Sequence, residues 1–207
     1  MDMPRYLAEI EHAASSIIDI VWADHSMLIQ LEVEAEKLRR EMEDGYRRAE
    51  ALSRDAETPE DVMAATGGHW DTYFEADKEH HQKRDELADA CALMSIKGFS
   101  RGSLSGSLLQ YGKQGISIVH KKLAACPAGR AIGSQDLKDV IWQGRNQALH
   151  WEAGSVHSPV EACFQALARD QGAQFADYNS KNLAFDVVEL LGWRSWNDFR
   201  ADMMTLA

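Results

Sequence analysis

IEHAASSIIDIVWADHSMLIQLEVEAEKLRREM, residues 10–42, is the stretch that decides the fold. Apolar or small residues recur at Ile10, Ala14, Ile17, Val21, Leu28, Leu31, Ala35, Leu38 and Met42, and the series continues through Gly45, Ala49 and Leu52. The steps alternate between three and four, and Asp24 breaks the seam once. Residues so spaced share one side of a helix, so the pattern predicts a long amphipathic helix over residues 4–52, packed along a partner helix. Glu32, Glu34, Glu36, Lys37, Arg39, Arg40, Glu41 and Glu43 surround the stripe and read as its solvated face.

The partner is expected just downstream. Thr58-Pro59-Glu60-Asp61 combines a hydroxyl cap, a proline for the first turn and acids, which starts a helix. Gly67-Gly68 is expected to interrupt it, with a second long helix over residues 70–97. Its stripe is polar at Asp77, His80 and Arg84 and apolar at Leu87, Cys91 and Met94. The two helices make an antiparallel hairpin, wet at its tip and joined to the core at its base. The stretch 98–106, rich in Gly and Ser, reads as a helix connection and matches no phosphate-binding loop. A third helix is expected over 108–125, ended by Cys126-Pro127-Ala128-Gly129. Ser134 is expected to cap a fourth, with Asp136 in its first turn and Leu137, Val140, Ile141, Gly144 and Ala148 on its apolar face. Ser158-Pro159 opens a fifth to residue 169, and helices over 182–191 and 195–206 close the chain. No alternating strand pattern of useful length occurs. The expectation is all-α: a hairpin over 1–97 and a helical bundle over 98–207, forming one continuous unit. Trp193 and Trp196, with Leu190, Leu191 and Phe199, read as core.

The chain has 207 residues, 45% of them hydrophobic and 27% charged, enough for a core and a soluble surface. No apolar run nears the roughly 20 residues that span a bilayer, so no membrane is expected. Met1-Asp2-Met3-Pro4-Arg5 lacks the basic flank and apolar stretch of a signal peptide. Cys91, Cys126 and Cys163 are odd in number and far apart, which reads as free thiols. These features predict a cytoplasmic protein. The net charge is −11, but it is unevenly spread. Residues 97–150 hold eight basic residues against only Asp136 and Asp139. That asymmetry is expected of an anion-facing segment on an acidic scaffold, although ordinary surface variation accounts for it equally well.

Within this basic segment the run Arg145-Asn146-Gln147-Ala148-Leu149-His150 carries the chemistry. Asn146 and His150 are four apart and share one helical face, with Arg145 beside them. Trp142 and Trp151 bracket the group. Cleaving an RNA phosphodiester requires deprotonating the 2′-hydroxyl, stabilising charge at phosphorus and protonating the leaving 5′-oxygen. Histidine exchanges protons near neutral pH, and arginine matches two phosphate oxygens with its planar fork. The scheme uses no metal and no cofactor. One histidine is thin for both acid and base, and a symmetric homodimer would supply two.

The run resembles the Arg-x(4–6)-His motif of the HEPN superfamily, in the form where a polar residue follows the arginine. The preceding Asp136-Leu137-Lys138-Asp139-Val140-Ile141-Trp142 resembles the usual amphipathic approach to that motif. The resemblance covers residues 87–170. It implies a HEPN-like all-α bundle that dimerises and acts as a metal-independent endoribonuclease, in toxin–antitoxin, abortive-infection or anti-phage systems. It further implies Arg145 and His150 as the catalytic pair, Asn146 as their support and an antitoxin protein as a partner. The long N-terminal hairpin departs from the minimal family pattern. For RNA binding, Lys113, Lys121, Lys122, Lys138 and Trp142 are the candidates, with a stacking role open to Trp142 and Trp151 alongside simple packing. His80 and His81 are adjacent, with Asp77 and Glu79 nearby, and Asp77 and His81, four apart, could share a metal, but zinc sites need three or four ligands, so a solvated face is the better reading. The alternative is a non-catalytic helical protein that binds a partner, RNA or a nucleotide. The acidic balance favours it, since RNA affinity rests largely on phosphate neutralisation.

Overall fold

The computed structural model describes the backbone of residues 1–54 and 59–207, and the side chains of residues 1–44, 47 and 81–207. The chain is all-α, as expected. Helices α1 (Met3–Arg54) and α2 (Pro59–His120) are followed by a small hairpin of β1 (Ala131–Ile132) and β2 (Gln135–Asp136). Then come α3 (Leu137–His150), α4 (Ser158–Gln171), α5 (Ala184–Leu191) and α6 (Trp196–Met204). The chain forms two compact units, residues 26–97 and residues 1–25 with 98–207. No helix among the described residues is long and apolar enough to cross a membrane.

In residues 26–97, α1 buries Leu28, Leu31, Ala35 and Leu38, the stripe expected of it. The opposing seam of α2 differs in detail. Among the described residues Ala90 is buried there, Leu87 and Met94 are half-buried and Cys91 is exposed. A small residue on the seam lets two helices approach closely, which moves the thiol outward. Lys83 Nζ meets Glu41 Oε2 at 3.0 Å across the two helices. The expected solvated face carries pairs one turn apart, such as Arg40 with Glu36 at 2.9 Å. The cap at Thr58 lies outside the described residues.

Neither expected break in α2 occurs: the helix runs through Gly67-Gly68 and through residues 98–106 without interruption. At the second break the reason is visible. Gly98, Gly102 and Gly106 fall four apart, on one side of the helix. The helix is held elsewhere, by buried Leu108, Leu109 and Ile116, so packing overrides a weak local preference. The expected third helix is therefore the end of α2, followed by a 3-10 turn at Leu123–Ala125. Lys121 adopts φ 64° and stops the α-helix.

In residues 1–25 with 98–207, α1 and α2 run antiparallel. The Tyr6 hydroxyl donates to the Tyr111 carbonyl at 2.8 Å, and Arg101 Nη1 donates to His25 Nδ1 at 2.9 Å. Around them α3 buries Leu137, Val140 and Ile141, α4 buries Phe164 and Leu167, and α5 buries Val187 and Val188. Gly144 brings α3 close to its neighbours: a Cβ there would lie 3.1 Å from Val187 and 3.4 Å from Leu109. Ser134 is not the cap of α3. It sits with Gly133 in the turn of the β1–β2 hairpin, where its backbone N–H donates to Asp170 at 2.8 Å, and Asp136 stands at the N-cap. The Gly133-Ser134 turn closes two short strands that alternation over so few residues does not reveal. At the C-terminal end Ser195 and Asp198 cap α6 reciprocally. Trp193 and Phe199 are fully buried, with Trp196 and Leu190 packed against the core.

Candidate functional site

α3 lies beside the second half of α2. Lys113 Nζ sits 4.7 Å from the Trp142 ring centroid, Gln110 meets Arg145, and Gly106 meets Ala148. Rising numbers on α3 pair with falling numbers on α2, so the two are antiparallel. Between them opens a groove of about 660 Å³. Gln110, Tyr111 and Arg145 line one end of it, and Phe99, Trp151 and Glu152 the other.

Arg145 is half-buried and held in place. Its Nε donates to Gln110 Oε1 at 2.5 Å, and Nη1 donates to Asn146 Oδ1 at 3.2 Å. Asn146 in turn donates to Gln143 Oε1 at 3.3 Å. Neutral amides thus orient the guanidinium without cancelling its charge. No carboxylate pairs with Arg145 or Lys113 among the described residues. Burial, and then the charge of Arg145, hold the Lys113 ammonium below the ordinary lysine range. Two cations near enough to disfavour each other, with no acid between them, form an anion-attracting edge.

His150 is the last residue of α3 and is exposed. It makes no hydrogen bond among the described residues, so Asn146 steadies Arg145 and not the imidazole. Five helical residues turn a side chain by about 140°. Arg145, Ala148, Leu149 and Glu152 therefore line the groove, whereas Asn146 and His150 do not. A single chain thus separates the two halves of the sequence motif around the helix.

Of the RNA-contact candidates, Lys113 and Trp142 join Arg145. Lys138 is engaged elsewhere, donating to the Cys126 carbonyl at 2.9 Å, and Lys121 and Lys122 are exposed just beyond α2. None of the five lines the groove itself, and Lys113 and Trp142 stand beside Arg145 beyond its end. Asp77, Glu79 and His80 lie outside the described side chains, and His81 is exposed. Among the described residues no three His, Cys, Asp or Glu side chains gather at metal-binding distance. Sequence reasoning missed Gln110, which accepts from Arg145, and Gln143, which accepts from Asn146. Gln143 and Gln147, one turn apart inside the motif helix, were the available signal, whereas Gln110 becomes visible only when α2 meets α3. Comparison of the chain with known family models, with curated proteins and with solved structures finds no match.

Proposed function

We propose that this protein is a metal-independent endoribonuclease of HEPN type, acting as a homodimer on single-stranded or loop RNA. Its place would be as the toxin or effector of a toxin–antitoxin or anti-phage system, with an antitoxin protein as partner. The observation that carries the reading is Arg145, fixed by Gln110 and Asn146 at a groove edge, with Lys113 nearby and no opposing carboxylate. Arg145 and Lys113 would hold the scissile phosphate, and Arg145 would stabilise charge at phosphorus during attack by the 2′-hydroxyl. His150, exposed and unengaged, would transfer the protons, and a second copy would supply a second imidazole. The products would be a 2′,3′-cyclic phosphate and a 5′-hydroxyl.

Incubating the full chain with RNA in EDTA tests this. Cleavage is expected to persist, and His150→Ala to slow it by about a hundredfold or more, the usual contribution of a proton-transfer group. Loss of cleavage in EDTA overturns the metal-free mechanism, and undiminished cleavage by His150→Ala overturns the site. A second reading is a non-catalytic helical interaction protein. Ile29 and Val33 favour it, standing exposed on α1 among Glu36, Lys37 and Arg40 in an acidic chain.

A further inference from the structure

The groove between α2 and α3 has room that packing within the chain does not explain. Glycine weakens a helix interior relative to alanine, so each helical glycine calls for a reason. At Gly112 a Cβ would lie 2.8 Å from Ile141, and at Gly115 it would lie 2.8 Å from Tyr6. Close neighbours account for both. A Cβ at Gly102 would meet nothing nearer than Asn182 at 3.8 Å, and at Gly98 nothing within 4 Å. Both residues line the groove, which is kept open where a side chain would fit.

The chemistry of the walls is specific. Arg145 stands at one end without a carboxylate partner. Gln110 Oε1 already accepts from Arg145 and Asn182 Oδ1 from the Ala184 N–H, and each amide's NH₂ adds two donors. Phe99 and Trp151 supply rings at the far end, and Phe99 is 76% exposed. Glu152 is the single acid among the described lining residues. The volume, about 660 Å³, lies within the range of small-molecule sites.

We propose that this groove is a nucleobase pocket that prefers guanine, with the adjoining phosphate at Arg145 and the base between the open glycine face of α2 and Trp151. Guanine's O6 and N7 accept from an amide donor such as that of Asn182 beside Gly102, while its N1–H and N2–H₂ donate to a carboxylate such as Glu152. Adenine, cytosine and uracil each lack part of that pattern. Stacking on Trp151 adds affinity for any base. That the base belongs to RNA rests on the ribonuclease reading; the pocket itself does not.

Titration of the full chain with 5′-GMP, 5′-AMP, 5′-CMP and 5′-UMP by calorimetry tests the pocket, and mapping cleavage sites on an RNA of mixed sequence tests its use. GMP is expected to bind about tenfold or more tighter than the others, the worth of one good paired contact. Gly102→Leu fills the groove while strengthening the helix, and is expected to abolish GMP binding with its melting temperature retained. Glu152→Gln is expected to flatten the preference among bases. Cleavage would map beside guanines and lose that bias in both variants. Equal binding of all four nucleotides, no binding of any, or unchanged GMP binding by Gly102→Leu overturns the pocket. So does a change of oligomeric state in Gly102→Leu with base preference intact, because the groove then holds a second copy of the chain. GMP binding without RNA cleavage upholds the pocket and removes the nuclease. Cleavage without base preference removes the pocket and upholds the nuclease.

Discussion

Gln147 sits in the middle of the Arg145–His150 run, yet it is fully buried. Its Nε2 donates to the Tyr178 carbonyl at 2.8 Å and the Lys181 carbonyl at 2.7 Å, and its Oε1 accepts from the Leu183 N–H at 3.0 Å. One amide thereby ties α3 to the segment that carries Asn182 to the groove. The motif helix is therefore part scaffold: Gln147 anchors it, Arg145 faces the groove and His150 faces solvent. Replacing Gln147 with Leu keeps the volume and strands two carbonyls and one N–H. Each such group costs about 1–3 kcal/mol, so with three stranded Gln147→Leu is expected to lose about 3 kcal/mol or more in urea denaturation. A loss below about 1 kcal/mol would show that these groups find water instead.

At the scale of elements, α2 carries two kinds of glycine with opposite consequences. Gly112 lets α2 and α3 approach, since its absent Cβ would lie 2.8 Å from Ile141 Cγ2. Gly112→Ala forces that side chain aside and is expected to destabilise by about 1–3 kcal/mol. Gly98 has open space, so Gly98→Ala is expected to stabilise by about 0.5–1 kcal/mol through backbone entropy. Chemical denaturation of the two variants reads the sign directly. A shared sign would mean that helix propensity, and not packing, governs both positions. The same contrast explains why α2 passes through residues 98–106 unbroken. Glycine and serine lower the local preference for helix, but buried Leu108, Leu109 and Ile116 further along α2 outweigh it.

At the scale of the whole core of residues 1–25 with 98–207, the start of α1, through Ile18, and the C-terminal segments pack with α3. Arg130, just before the β1–β2 hairpin, grips Asp202 of α6 with Nε at 2.7 Å and Nη2 at 2.8 Å. Nη2 also donates to the Leu191 carbonyl at 2.6 Å, and Trp193 Nε1 donates to Asp202 at 2.9 Å. The Asp202 hydrogen bonds are the foremost cause raising the Arg130 pKa above the ordinary arginine range. His120 adds a second tie, donating from Nε2 to the Leu206 carbonyl at 2.6 Å. Removing one partner of a buried ion pair costs about 3–5 kcal/mol. The Arg130 side chain is 42% exposed, which reduces the expected loss for Arg130→Met to about 1–2 kcal/mol. The melting temperature checks it, and an unchanged value would assign the closure to apolar packing alone.

The sequence by itself determined the all-α class, the stripe of α1, the starts of α4 and α6 and the polar run on α3. Each is a local matter of spacing or capping, and spacing alone decides which residues share a helical face. It also pointed to Lys113 and Trp142, since charge patterning is visible along a chain. Tertiary structure decided the continuity of α2, the β1–β2 hairpin and the partners of Arg145. Those depend on which distant residues meet, such as Gln110 on α2 with Arg145 on α3, and no local pattern encodes that meeting. The structure also decided that Arg145 and His150, the two ends of the motif, face different surroundings. Their angular separation is a property of any helix, but which side holds the groove is set only when α2 packs against α3.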